Sequence, residues 1–559
     1  MDKLMVKSSY VNQVIETDVL IIGGGAAGCF AAFGANDLGV DVTIVEKADI
    51  RRSGSLATGV DDARFAHPEI TIPAEDFARS IVEPMEGMVD PKLAYIIANE
   101  SYQRVLDLEK MGVKMRDDDG TFRRIPNRHP AAFWFRGADL KLRMTGEIRY
   151  RKIAVLQRTM TVQLLTQGNR TAGALCLDVR TGSFLIIMAK AIIIATGGAL
   201  RLHVARGNPF MTHHCPANAG DGIGMAYSAG AELTGLEFSS VAIGPRNPRI
   251  FPALGAVFDA NVPVVNAEGE AVVKNPIGGG DLSQTFLQEI AAGRGPLYWD
   301  FPAISKEARA QFTEAALNER PIVLKYLQEE GIDLANDRIE IAGLYQEGIA
   351  IHQGGIIIND SCRTSVEGLY AAGDDVAMLG ARGNSALGAM ILGHRAGRFA
   401  AEFARRIEHA ELNLGQAEEE AKSIVASITR NEGIEPIVLE ERVREMVSSY
   451  CGIEKTRERI QTGLDLLQEM KREYVNRVLA ETPHHLMRYI ELGNILNIAE
   501  MHLRASLMRT ESRLGLSHRR IDYPNRDDRQ WRKMIVVRKH EDDNMSLEIR
   551  PLPWDGKQR

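Results

Sequence analysis

The sequence predicts an α/β fold whose parallel sheet is assembled from separated stretches of chain, and three observations carry that prediction. First, an apolar run, TDVLII (Thr17–Ile22), ends in glycines and passes into the alanine-rich GGGAAGCFAAFGANDLG; a second apolar run, DVTIVEK (Asp41–Lys47), follows. Strand, glycine turn, helix and strand in that order make a βαβ unit, the crossover that parallel strands require. Second, two later buried-strand patterns, AIIIATGG (Ala191–Gly198) and VEGLYAAGDD (Val366–Asp375), end in small residues in the same way. Third, a helix of small residues, from about Ser385 to Ala404, follows the last of them.

The remaining segments differ in texture. Met211–Ala342 is mixed, and its glycine–proline clusters GPRNPRIFPALG and NPIGGGD read as loops. From about Gly415 to Arg513, Leu, Ile, Met and Val recur among charged residues at helical spacing. The tail, Leu514–Arg559, is rich in Arg and Asp and reads as a solvated or interfacial surface.

Composition narrows the classes. A chain of 559 residues corresponds to about three or four domains. With 45% hydrophobic and 25% charged residues it has the mix of a globular protein, which excludes disorder and collagen-like repeats. A net charge of −7 does not favour nucleic acid as a partner, although a local basic patch still suits a small anion. The five cysteines (Cys29, Cys176, Cys215, Cys362, Cys451) are scattered without a CxxC pair, so they form neither a disulfide framework nor a cluster-binding motif. No apolar run reaches the ~18 residues of a membrane span, and the first 17 residues lack a signal-peptide layout, so the expected location is cytoplasmic.

Gly23-x-Gly25-x-x-Gly28 closes the first strand and opens the helix, and Glu46 ends the next strand. Gly23 permits the tight turn, Gly25 lets backbone approach a pyrophosphate, and Gly28 lets helix and strand pack closely. The helix start offers free N–H groups to phosphate, and Glu46 can accept the ribose hydroxyl protons. ATGG (with Ala195, Thr196 and Gly197) and AAGD (with Gly373 and Asp374) resemble the pattern of FAD-dependent oxidoreductases of the two-dinucleotide fold, which implies FAD; a fold that binds NAD alone needs neither segment. Asp374 is placed on the ribitol chain.

These residues resemble the fumarate reductase/succinate dehydrogenase flavoprotein superfamily over nearly the whole chain. Four segments carry the resemblance: RSGSLATG (Arg52–Gly59), IAIHQGGIIIND (Ile349–Asp360), GARGNSALGAMILGHRAG (Gly380–Gly397) and RTESRLGLSHRRIDYPNRDDRQW (Arg509–Trp531). Within the superfamily the chain is most similar to the branch of the adenylylsulfate (APS) reductase α subunit. It departs from that branch at Arg64, where an active-site asparagine is expected, and near Gly137, where an acidic residue is not matched.

The resemblance implies a two-dinucleotide-type, Rossmann-like FAD-binding domain (1–210 and 343–407) with an inserted α+β capping domain (211–342). A C-terminal helical domain (408–513) and the tail (514–559) complete the chain. It adds Ala26, Ala27, Lys47, Ser53, Gly54, Gly59, Asn384, Ser385 and Leu387 to the cofactor set. Gly54 stands where succinate dehydrogenases carry the flavin-linked histidine, which implies non-covalent FAD. Arg246, His352 and Arg382 are the implied catalytic residues, cations and donors for an anionic substrate beside the flavin. His213 and His214, beside Cys215, lack further ligands at zinc spacing, so no metal is expected.

Three functions remain open from sequence. One is a flavoprotein subunit that acts on a small sulfur-compound or carboxylate anion and exchanges electrons with a ferredoxin-like iron–sulfur partner, as an oligomer or heterodimer. Another is a stand-alone fumarate reductase or an amino-acid or dicarboxylate oxidase. The third is a flavin electron-transfer protein without a substrate of its own.

Overall fold

The computed structural model describes residues 11–60, 62–125, 129–203, 215–246, 257, 260–273, 280–319, 321–348, 353–378, 385–412, 414–427, 430, 432–540 and 544–554. At its centre lies a seven-stranded sheet in the order Ala154–Gln157, Val42–Glu46, Val11–Ile22, Phe184–Ile194, Arg170–Asp178, Thr159–Gln167, with Leu369–Ala371 also pairing Phe184–Ile194. The first four strands run parallel, as does Leu369–Ala371. The strands Thr159–Gln167 and Arg170–Asp178 form an antiparallel hairpin added to one edge. Val19, Leu20, Ile21 and Ile192–Ile194 are fully buried, as expected for strands covered on both faces.

The helix Ala26–Asn36 is buried from Ala27 to Ala35 between the sheet and the helix Ser385–Ala404. Glycine makes this helix pair possible. A Cβ on Gly393 would lie 2.2 Å from the Ala27 carbonyl oxygen, and one on Gly397 would lie 2.0 Å from that of Ala31. The alanine- and glycine-rich composition of both helices is therefore the condition of their close approach.

A second sheet of five strands defines the inserted domain: Ser240–Pro245, Ile339–Gly348, Tyr298–Trp299, Val264–Val265 and Ala271–Val273. It has its own core around Trp299, Phe301 and Phe312. The strand Ile339–Gly348 runs through the expected 342/343 boundary, and the helix Asp221–Ser228 packs with the main core although it lies within 211–342.

Four helices, Leu414–Ala426, Pro436–Tyr450, Arg457–Arg477 and Pro483–Met508, form the helical region. Thr456 and Thr482 start the last two by accepting from the Arg459 and His485 N–H groups, and Pro483 occupies a first-turn position where its missing N–H costs nothing.

The tail is solvated over 521–530 and docked on the main body elsewhere. Its strands Lys533–Lys539 and Met545–Pro551 form a hairpin that pairs with Leu233–Thr234 in the main body. Arg509, Arg513, Arg520 and His518 are buried. Arg509 pairs with Glu237 at 2.7 Å and Glu511 at 2.9 Å, and Arg513 pairs with Glu511 at 2.6 Å. Buried arginines of this kind persist because each guanidinium finds both charge and acceptors. Among the described residues no helix is long and apolar enough to cross a membrane.

Candidate cofactor site

The carboxyl ends of the central strands open into a cavity of about 290 Å³, floored by the turn after the first strand. The position of this cleft follows the rule for open α/β sheets, where ligands bind beyond the strand ends. Gly23 sits at φ +101°, with the Ala195 carbonyl oxygen only 2.3 Å from where its Cβ would be. A Cβ on Gly28 would stand 1.8 Å from the Gly23 carbonyl oxygen, so any side chain there would push the helix off the turn. Gly28 therefore shapes the site without lining it. Gly25, Ala26 and Ala27 do line it, at the start of the helix.

Glu46 is buried at the cavity wall. Its Oε2 accepts from the Gly24 N–H at 2.8 Å and its Oε1 from the Ala48 N–H at 2.7 Å. Each oxygen retains a lone pair for a hydroxyl donor, the arrangement expected for a ribose. Lys47 lines the same wall, but its ammonium is engaged elsewhere. It donates to the Ala217 carbonyl oxygen at 2.9 Å, to Asp221 at 2.7 Å and to Glu491 at 2.6 Å. Burial works against its charge, yet Asp221 and Glu491 more than offset this and hold it protonated. Glu491 in turn meets Arg201 Nη1 at 2.5 Å, and Arg201 Nε reaches Glu440 at 2.9 Å. A buried chain of charges thus runs from the cavity wall into the C-terminal helices.

Ser53, Gly54 and Gly59 also line the cavity. Ser53 is buried, and among the described residues its hydroxyl has no hydrogen-bond partner. An orphaned buried hydroxyl facing a cavity fits a polar ligand. Gly54, at φ +80°, offers no side-chain atom for a covalent flavin link.

Ala195, Thr196 and Gly197 reach the cavity from one strand, Gly373 and Asp374 from its neighbour, and Leu387 from the following helix. Asp375, which the sequence reading passed over, holds these segments together. Its carboxylate accepts from Thr196 Oγ1 at 2.8 Å and from the Gly197 N–H at 2.8 Å. Burial pushes its pKa from 3.8 to about 7, against the pull of those donors. The stabilisation that comes with its proton is complete below pH 3.8 and is lost as pH rises through about 7. Asp375→Asn removes that titration. The melting temperature of the variant, plotted against pH, is expected to fall less steeply between those limits than that of the parent, and parallel curves would count against the assignment.

Of the implied catalytic residues, Arg246 alone lies among the described ones. Arg246 is 60% exposed on the inserted domain, with Nη1 2.8 Å from Glu340 Oε1, and it does not line the cavity. His352, Arg382 and Asn384, like His213 and His214, lie outside the described residues, as does the side chain of Ser385. Arg64 ends the strand Asp62–Arg64, whose first residue lines the cavity. Burial, with Arg64 nearby, pushes the His129 imidazole down to about 4, so that it is neutral at physiological pH. A Cβ on Gly137 would lie 2.1 Å from the Val60 carbonyl oxygen, so no acidic side chain fits there.

Thr159–Thr161, Asn218 and Asp221 complete the walls. Asn218–Gly222 (NAGDG) repeats the glycine–aspartate pattern of AAGD and could have been read as a further wall; the threonine strand carries no such signal.

A glycine turn that clears the way for phosphate, a ribose-ready carboxylate and two further small-residue strand ends define a flavin-dinucleotide protein. The family model described as FAD binding domain matches residues 18–392, and the one described as fumarate reductase flavoprotein C-term matches 440–556. The chain therefore belongs to the fumarate reductase flavoprotein family of FAD-dependent oxidoreductases. An uncharacterized FAD-dependent oxidoreductase of Methanocaldococcus jannaschii is 27% identical, covering 94% of this chain and 96% of its relative. One subunit of the fumarate reductase (CoM/CoB) of Methanothermobacter marburgensis is 26% identical, over 94% and 98%. Among solved structures, adenylylsulfate reductase of Archaeoglobus fulgidus shares the fold with a TM-score of 0.86 at 24% identity, over 98% of this chain and 99% of that one.

Proposed function

We propose that this chain is the flavoprotein subunit of a two-electron oxidoreductase that acts on a small anion, a sulfur compound or a carboxylate, and exchanges electrons with a ferredoxin-like iron–sulfur partner. The observation that carries this reading is the end-to-end match to a chain named as a subunit, in a sequence whose own cysteines offer no cluster motif. Cys29, Cys176, Cys362 and Cys451 are buried and Cys215 is half-buried, all as free thiols.

FAD, when bound, supplies the two-electron exchange. Glu46 holds the ribose, the N–H groups at the start of the helix Ala26–Asn36 hold the pyrophosphate, and the Asp374 carboxylate takes the ribitol hydroxyls. Arg246, His352 and Arg382 supply charge and donors to the substrate anion. Arginine grips carboxylate and sulfo groups with the same fork, so substrate choice rests on pocket shape.

Anaerobic purification of the native protein, with an absorption spectrum and a stained gel, tests the reading. The expected result is a broad iron–sulfur shoulder beside the flavin bands, with a small second subunit on the gel. Reoxidation of the reduced flavin by APS, or its reduction by sulfite together with AMP, would then separate a sulfur substrate from fumarate and succinate. A single band with flavin absorption alone would overturn the partner.

A further inference from the structure

We propose that Lys141 sets how tightly this chain holds the pyrophosphate of FAD, by clamping the phosphate-binding turn from the side away from the cavity. Lys141 lies in the first turn of the helix Leu140–Tyr150 and is only 3% exposed. Lysine is almost never buried to this degree without a counter-charge. Its ammonium donates to the Gly24 carbonyl oxygen and sits 3.6 Å from Cys29 Sγ. Among the described residues no carboxylate pairs with it, whereas Lys47 across the same turn has two.

The consequence follows from peptide geometry. The Gly24 carbonyl and the Gly25 N–H belong to one planar trans unit and point in opposite directions. Lys141 does not line the cavity, whereas Gly25 does. Drawing the Gly24 oxygen toward Lys141 therefore turns the Gly25 N–H toward the ligand. No protein acceptor among the described residues takes that N–H, and nothing stands within 4 Å of where a Gly25 Cβ would be. The preceding peptide is fixed by Glu46, which accepts the Gly24 N–H at 2.8 Å. A Gly–Gly linkage resists rotation poorly, since neither residue carries a Cβ. An anion and a cation on the two sides of Gly24 supply the resistance, and they keep a carbonyl from facing the phosphates.

Charge adds to orientation. An ammonium buried without a counter-ion is strongly unfavourable. The two negative charges of a pyrophosphate in front of the turn would relieve that penalty. The flavin-free chain carries the penalty and the loaded chain does not, so Lys141 couples affinity to stability.

The test uses the full chain, with flavin fluorescence to follow FAD binding and thermal melts with and without FAD. Lys141→Met keeps the length and removes the charge. Its FAD dissociation constant is expected to rise about tenfold to a hundredfold, the worth of a charged hydrogen bond. The melting temperature of the flavin-free variant stays level or rises, and the increment on adding FAD shrinks. Lys141→Arg, which keeps charge and donors, recovers most of the affinity. Lys141→Gln, a neutral donor, covers the case in which the methionine variant does not fold, and the same readings decide there. FAD affinity within twofold of the parent would overturn the proposal. So would equal losses of stability with and without FAD, the mark of a packing role alone.

Discussion

Valine at Gly393 is expected to give a protein that melts well below the parent and purifies largely without flavin. The added Cβ would sit 2.2 Å from the Ala27 carbonyl oxygen, a backbone atom that cannot swing aside. Overfilling a packed core costs about 1–3 kcal/mol when side chains can yield, and here a helix must shift instead. The helix that shifts carries Ala26 and Ala27 at the cavity floor, so cofactor retention falls with stability. Gly388 on the same helix is the control, since its nearest neighbour to a new Cβ is Ile97 Cδ1 at 3.8 Å. Alanine there should leave the flavin in place and gain about 1 kcal/mol of helix propensity. Thermal melts and the flavin-to-protein absorbance ratio check both variants. A Gly393→Val protein that purifies fully yellow would show that the helix contact does not govern the site.

The second large effect is expected at Arg201. Its guanidinium joins Glu491 and Glu440, each about 1% exposed. Arg201→Met leaves Glu440 to Arg488, and Glu491 to Lys47 and Arg488, a partial loss of buried charge pairing worth about 3 kcal/mol at neutral pH. Burial opposes the charge of Glu491, but Lys47 and Arg201 overcome this and hold its carboxyl well below the usual 4.5. In the parent, that depressed pKa contributes stability above about pH 4.5, which is lost as pH falls through the folded-state value. Without Arg201, the carboxyl takes up its proton at higher pH, and the variant is relieved of the buried charge. The difference in melting temperature between parent and variant should therefore narrow as pH is lowered from 7 toward 4. A gap independent of pH would mean that Arg201 acts through packing.

Local chemistry made part of this architecture legible in the sequence. The turn at Gly23–Gly28 could be read because tight backbone approach tolerates only glycine at such points, and the helix Ser385–Ala404 because its small residues had to face another backbone. The first strand, expected from Thr17, begins at Val11, where half-exposed residues masked the pattern. Long-range chemistry was not legible. Arg201, Asp221 and Glu491 meet Lys47 only after folding, and nothing near them in the chain signals it. Asp374 and Asp375 are neighbours of the same type, yet one faces the cavity and the other is buried, a distinction made by the single helical turn Gly373–Asp375. Just before the tail, the buried Arg509 and Arg513 resemble solvated arginines until their carboxylates are located.

The contact between Lys47 and Glu491 spans 444 positions of the chain. A ribosome adding roughly 5–20 residues per second needs about 20–90 seconds to travel that interval. For all that time the first βαβ unit is outside the tunnel with a half-built wall, and its lysine has no Glu491 to meet. The ion pair that braces this wall of the cavity is therefore completed only when the C-terminal helices arrive.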